Sequence, residues 1–264
     1  MHVTELAIYP IKSTGQISLQ EAVISPTGFQ HDRRWLLVDD QGCFITQRQY
    51  PELVRVKAQP VATGLLVQTE DKNDLEVSFP KDGESTAAVM VWKDECQAVD
   101  AGDEAARWFT GYLNKSCRLV YQPDDSIRTV DQRYAEPLDR TGFVDGFPFL
   151  LTSEGSLADL NGRLEHFVPM KRFRPNIVIN NTEAFAEDHW KLIQIGEVTF
   201  RVAKPSSRCV MTTVDTESGV KTGKDPLKTL AGYRRTDMGV IFGQNLIHNQ
   251  QGVIRVGDEV RVLG

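Results

Sequence analysis

The stretch Lys204-Pro205-Ser206-Ser207-Arg208-Cys209-Val210-Met211-Thr212-Thr213-Val214-Asp215 places a thiol where a strand gives way to a turn. Before it, Glu197-Val198-Thr199-Phe200-Arg201-Val202 alternates polar and apolar residues, the period of a half-buried strand. After it, Thr216-Glu217-Ser218-Gly219 has turn composition. A neighbouring arginine lowers a thiol pKa and favours the thiolate that binds metals or attacks electrophiles. A lone cysteine is more commonly a small packed hydrophobe. Residue chemistry alone leaves both readings of Cys209 open and favours packing.

The totals bound what the thiol could serve. The 264 residues allow one large domain or two ordinary ones, and 41% hydrophobic with 25% charged residues fits a soluble globular chain. No apolar run reaches the ~20 residues of a membrane helix, and Met1-His2-Val3-Thr4-Glu5 has no secretory pattern. A cytoplasmic location is therefore expected, without a membrane segment. A net charge of −6 with no long basic run argues against nucleic acid as a partner. It leaves room for a small anion, since Arg33-Arg34 and Lys171-Arg172 with Arg174 are local basic clusters. Cys43, Cys96, Cys117 and Cys209 form no C-x-x-C pair and lack plant ferredoxin spacing, so neither structural zinc nor an iron–sulfur cluster is expected within this chain. The five histidines have no metal-binding spacing.

The first ~120 residues read as short strands joined by turns. Asp39-Asp40-Gln41-Gly42 predicts a hairpin between 35–38 and 43–46, and similar patterns predict hairpins over 64–79 and 88–99. Leu6 to Tyr9 reads as a strand that stops at Pro10. Ala106, Trp108, Phe109, Tyr112 and Leu113 fall roughly on one face of a helix over Asp103–Leu113. Residues 117–121 read as a strand and 122–139 as a polar loop, which sets the expected boundary between segments 1–120 and 121–264. In the second, Thr152 or Ser153 can cap a helix over about 156–164. Asp225-Pro226 starts another short helix, with Asp225 as N-cap, and strands are expected at 176–179, 192–202, 240–242 and 253–263. The expected fold class is α+β and β-rich, a barrel with a few covering helices behind a first unit that is itself barrel-like.

Three further stretches are polar in ways a fold does not require: Tyr9-Pro10-Ile11-Lys12-Ser13, His31-Asp32-Arg33-Arg34-Trp35 and Arg172-Phe173-Arg174-Pro175-Asn176. Lysine, serine and arginine at strand ends are what a phosphate or similar anion needs. Pro175 predicts an extended Arg174. Against this, a lysine such as Lys12 is more often a solvated strand end, and arginines such as Arg33 and Arg174 more often salt-bridge to acids, of which the chain has 36.

Taken in order, six motifs resemble the MOSC-domain family: Y-P-I-K-S (9–13), D-R-R-W (32–35), S-L-A-D-L-N-G-R-L (156–164), F-R-P-N-I-V-I (173–179), S-R-C-V-M-T-T-V-D (207–215), and F-G-Q-N (242–245) followed by I-R-V-G-D (254–258). The closest branch is that of the amidoxime-reducing components and their bacterial relatives, over nearly the whole chain. The resemblance implies an N-terminal MOSC_N-like β-barrel (1–120) before a MOSC β-barrel (121–264). It implies a molybdenum–molybdopterin cofactor whose single protein ligand is Cys209, a soft thiolate donor. Lys12, Ser13, Arg33 and Arg174 would bind the anionic pterin, Ser207 and Arg208 would assist beside the metal, backbone of Asp145, Gly146 and Phe147 would line the site, and Asn245 matches a further contact position. Thr213 and Asp215 would lie near the open face. The implied reaction is reduction of N-hydroxylated compounds such as hydroxylamines, amidoximes and hydroxylated bases. Some relatives carry a C-terminal ferredoxin-like domain; this sequence ends at Gly264 without one, so either a separate electron donor (a flavoprotein reductase or small redox protein) is expected, or the sequence stops before such a domain. Sulfur transfer through a Cys209 persulfide and non-catalytic cofactor carriage remain the alternatives.

Overall fold

A computed structural model describes residues 1–81 and 86–264. The chain opens with β1 (Val3–Ile8), β2 (Ile17–Leu19), β3 (Glu21–Ser25), β4 (Gly28–Phe29) and β5 (Trp35–Val38). Two hairpins follow: β6 (Lys57–Val61) runs into β7 (Gly64–Thr69) and β8 (Lys72–Ser78), and β9 (Thr86–Val91) into β10 (Asp94–Asp100). Helix α1 (Asp103–Leu113) then leads to β11 (Arg118–Tyr121). The second half holds β12 (Phe149–Ser153), α2 (Glu154–Asn161), β13 (Ile177–Ile179), β14 (Leu192–Ile195), β15 (Val198–Ser207), α3 (Leu227–Tyr233), β16 (Arg235–Thr236), β17 (Gly239–His248), β18 (Gly252–Arg255) and β19 (Val260–Val262).

A nine-stranded sheet dominates, in the order β19-β14-β15-β17-β12-β13-β1-β2, with β16 on β17. Only β12 and β13 are parallel in it. A small sheet β18-β3-β4 closes over one face, so Leu6, Ile8, Ile24, Phe149, Ile177 and Phe200 share one core. Strands from the first 30 residues are thus woven into the second half of the chain. The sheets β5-β11-β10-β9 and β6-β7-β8 form the other unit, with α1 packed by Trp108 and Phe109 against a core that includes Trp35 and Leu53. Among the described residues the β-rich class with three α-helices is as expected.

Three local expectations need correction. Residues 43–46 form no strand of their own; Phe44 bridges Val38 and Cys43 bridges Met90, because Asp39 bonds back to the amides of Gln41 and Cys43 and tightens the turn. Arg174 is not extended but left-handed (φ 57°), ending the 3-10 turn Met170–Phe173; Pro175 disfavours the right-handed helical region and leaves this one available. Pro226, not Asp225, is the residue at the N-cap of α3, although the Asp225 carboxylate does accept the Thr229 amide. Ser153 caps α2 as expected, accepting the Ser156 amide.

Candidate functional site

Chain ends from four distant segments meet beside β15. After β1, Lys12 accepts register from β5: its amide donates to the Trp35 carbonyl, and the Trp35 amide to that of Pro10. The Arg33 amide donates to the Tyr9 carbonyl, and its own carbonyl accepts from Phe143, which brings the 142–147 loop alongside. Asn176 locks the junction. Its side chain donates to the Ala7 carbonyl and Asp32, and accepts from Arg33 and the Leu150 amide.

The result is a cluster of cations, Lys12 buried and Arg33, Arg174 and Arg208 half-buried. Arg33 and Arg174 both lie over the Tyr9 ring, each guanidinium 4.2 Å from its centroid. Buried Asp32 holds Arg33 at 2.6 Å and also accepts the Tyr9 amide. Arg174 has no carboxylate: it donates to the Thr14 carbonyl (2.6 Å), while its Nη2 has no partner among the described residues. Arg208 donates to Ser206 Oγ and the Phe173 carbonyl, and its buried Nε is likewise unpartnered. Lys12 is 6% exposed, not a solvated strand end, and its Nζ meets Asp145 at 2.6 Å.

Burial sets the electrostatics. It pushes the Lys12 ammonium down to about 8 despite the pull of Asp145, and Arg174 down to about 10, with Arg33 repelling it further. Burial also lowers Arg208, opposed by the charges of Cys209 and Asp145, which places all three in one electrostatic neighbourhood. Desolvation works to raise the Asp145 carboxyl, yet Lys12 beside it holds it well below the usual carboxylate range. The Asp145 side chain is 64% exposed. The ion pair therefore has one buried member, Lys12, and one that faces solvent, Asp145.

Cys209 is exposed, against the packed state that residue chemistry favours. It stands at the N-cap of the 3-10 turn Val210–Thr213, and its carbonyl is held by Thr212. Ser207, exposed at the end of β15, lies close to Gly239, where a Cβ would come within 2.6 Å of the serine Oγ. The remaining predicted residues divide. Ser13 is buried in a left-handed turn (φ 76°) directly after Lys12. Gly146 has open space where a Cβ would go, and Phe147 is buried below it. Asn245 spends its amide on the Lys204 and Pro205 carbonyls, holding the irregular stretch of β15 before Ser207. Thr213 is buried and bonds Val210, whereas half-buried Asp215 holds Arg172 and Ser218. Arg34 points away, to Gln122 and Asp124. It lines a separate crevice of about 530 Å³ with His31, Phe79 and Tyr121, none of which belongs to the cationic cluster.

Sequence reading passed over Tyr9, Asp32 and Asn176 as working residues. All three lie inside the quoted motifs, and a tyrosine and an acid next to basic strand ends were the available signal.

Fold and cluster together define a class: a β-barrel protein that presents the exposed thiol of Cys209 beside a largely buried cluster with more cations than carboxylates. The comparisons give the family. Residues 1–116 match the MOSC N-terminal beta barrel domain and residues 139–261 the MOSC domain. The chain is 37% identical to mitochondrial amidoxime-reducing component 1 of Mus musculus, over 99% of this chain and 82% of that protein. It is 36% identical to component 1 of Homo sapiens (99% and 83%) and 34% identical to component 2 of Rattus norvegicus (98% and 82%). The chain belongs to the MOSC family, in the branch of the amidoxime-reducing components. Among the described residues no helix is long and apolar enough to cross a membrane.

Proposed function

We propose that this protein is a molybdenum-cofactor-dependent reductase of N-hydroxylated compounds that takes its electrons from a separate donor. The observation that carries the reading is the pair of unpartnered donors, Arg174 Nη2 and Arg208 Nε, in a cradle where Lys12, Arg33, Arg174 and Arg208 face only Asp32 and Asp145. A buried donor left unmade costs about 1–3 kcal/mol, and here two such donors sit among four cations and two carboxylates, which favours an anion that completes the cluster. A phosphate-bearing pterin fits that donor set. Lys12 with Ser13 and Arg33 with Arg174 would hold the anionic part, and the Tyr9 ring fixes the two guanidinium planes.

Cys209 would be the single protein ligand to molybdenum. Among the described residues no three His, Cys, Asp or Glu side chains gather to hold an ion, so other donors would come from the pterin. When bound, the cofactor supplies two electrons that, with two protons, convert R–NH–OH to R–NH2 and water. The chain's share is to place the thiolate at an open edge, neutralise negative charge with Arg208, and offer protons from groups at the mouth. Lys12, down at about 8, is suited to hold one near neutral pH.

Elemental analysis of protein from a cofactor-producing host tests this. Near-stoichiometric molybdenum is expected, lost in Cys209→Ser while pterin is partly retained. A persulfide on Cys209 without molybdenum would instead establish sulfur transfer, and bound molybdenum with no N–O reduction under an artificial reductant would establish a carrier.

A further inference from the structure

Trp92 breaks the rules of its position. It opens the two-residue turn between β9 and β10, where Val91 pairs with Asp94, and it sits at φ 60°. Such a turn wants glycine there, and a bulky side chain costs about 1–2 kcal/mol in the left-handed region. The ring is also 45% exposed. Yet it is tightly held. Its Nε1 donates to Asp145 Oδ1 at 3.2 Å, the same oxygen that meets Lys12. The Arg48 guanidinium lies 4.4 Å from the ring centroid and Phe44 packs at 5.0 Å. This corner abuts the thiol loop: the Arg48 carbonyl accepts Lys221 Nζ, and Lys221 bridges Val214. Val210, the residue after the thiol, is also exposed, as is Met238.

We infer that Trp92 is a specificity-determining residue, an aromatic platform at the mouth of the Cys209 site that selects N-hydroxylated compounds carrying a planar aromatic ring. Backbone strain tolerated at an exposed position points to function. An indole fixed by a cation and a carboxylate offers area at little entropic cost. The inference rests on the reductase reading.

The test compares benzamidoxime with hydroxylamine, which has no ring, using molybdenum-loaded wild type, Trp92→Ala and Trp92→Phe under a reduced viologen dye. Rates are normalised to molybdenum content. In Trp92→Ala the ratio of kcat/KM for benzamidoxime to that for hydroxylamine is expected to fall about fivefold, through KM. Trp92→Phe keeps a ring but loses the N–H, and should restore most of the ratio. Benzamidoxime should also perturb tryptophan fluorescence in wild type but not in Trp92→Phe. An unchanged ratio in Trp92→Ala overturns the platform. So does a Trp92→Phe as poor as Trp92→Ala, because the indole would then act only through Asp145. Wild type inactive on both compounds overturns the reductase reading instead, and the platform with it.

Discussion

Lys12 shows what the burial of one charged residue does to stability. Its ammonium is buried against a solvent-facing carboxylate and titrates at about 8 when folded, against 10.5 when unfolded. Between those values the unfolded chain binds the extra proton, so Lys12 makes stability rise with pH; below about 8 the folded protein bears a buried charge at a net cost. Binding of an anion runs the other way. Below about 8 the free protein already carries the ammonium and affinity is flat; above it, binding must first recover a proton, and affinity falls by up to about tenfold per pH unit. Lys12→Met is therefore expected to stabilise the cofactor-free protein at pH 7, on the order of 2 kcal/mol, while weakening cofactor retention and abolishing its pH dependence. Thermal melts and molybdenum retained after gel filtration at pH 6.5 and 9.5 check both halves; a variant less stable than wild type at pH 7 refutes the first. Nothing in Y-P-I-K-S announces this burial. The lysine's type is legible in the sequence, but its exposure is decided by Trp35 and the 142–147 loop, which arrive from elsewhere. The same holds for Cys209, whose neighbours along the chain suggest packing while the fold leaves it bare.

Elements whose signal is local were legible. Helix α1 declares its apolar face, and the hairpins β7–β8 and β9–β10 declare their turns. Elements without such a signal were not: β3 and β6 are short strands that owe their existence to partners, β18 in one case. Irregularities are set by packing too. Gly243 in β17 has φ 79°, and a Cβ there would lie 2.5 Å from the Leu151 carbonyl and 2.8 Å from Thr152 Cγ2. Strand β17 joins β12 to β15, which ends at Ser207 just before the thiol, so pushing it off β12 disturbs the site as well as the sheet. Gly243→Ala should cost roughly 3 kcal/mol and reduce cofactor retention. Gly257, also at positive φ (95°), has nothing within 4 Å of a Cβ, so Gly257→Ala should cost only about 1 kcal/mol. Urea midpoints separate the two; equal losses would show that backbone strain alone, and not the β12–β17 contact, matters at Gly243.

For the whole molecule, the segments 1–120 and 121–264 mark a change in sequence character, and we propose that they do not mark two independently folding bodies. Strand β1 lies between β13 and β2 in the large sheet, pairing Leu6 with Ile177 and with Leu19. Strand β3 supplies the partner of β18. The first 30 residues thus contribute two sheet contacts and part of one core to a unit whose other strands begin at Phe149 or later. Pairing over such separations leaves no local mark, because the alternation of β1 would suit any sheet. Residues 121–264 alone would expose the edge of β13 and leave Phe149, Ile177 and Phe200 beside the space Leu6, Ile8 and Ile24 occupy. Losses of that size exceed the whole stability of an ordinary domain. That fragment is expected to give a collapsed amide NMR spectrum and no cooperative melt. Joining residues 1–30 after Gly264 through a flexible linker should restore both, since the Met1 carbonyl already accepts the Val260 amide and His2 bridges Glu259. A sharp melt for 121–264 by itself would mean that β13 and β18 are stable edges, and that β1 and β3 decorate a finished barrel. The cationic cradle would then be assembled after folding, by docking of Lys12 and Arg33 onto a preformed thiol face, and cofactor loading should follow that docking in rate.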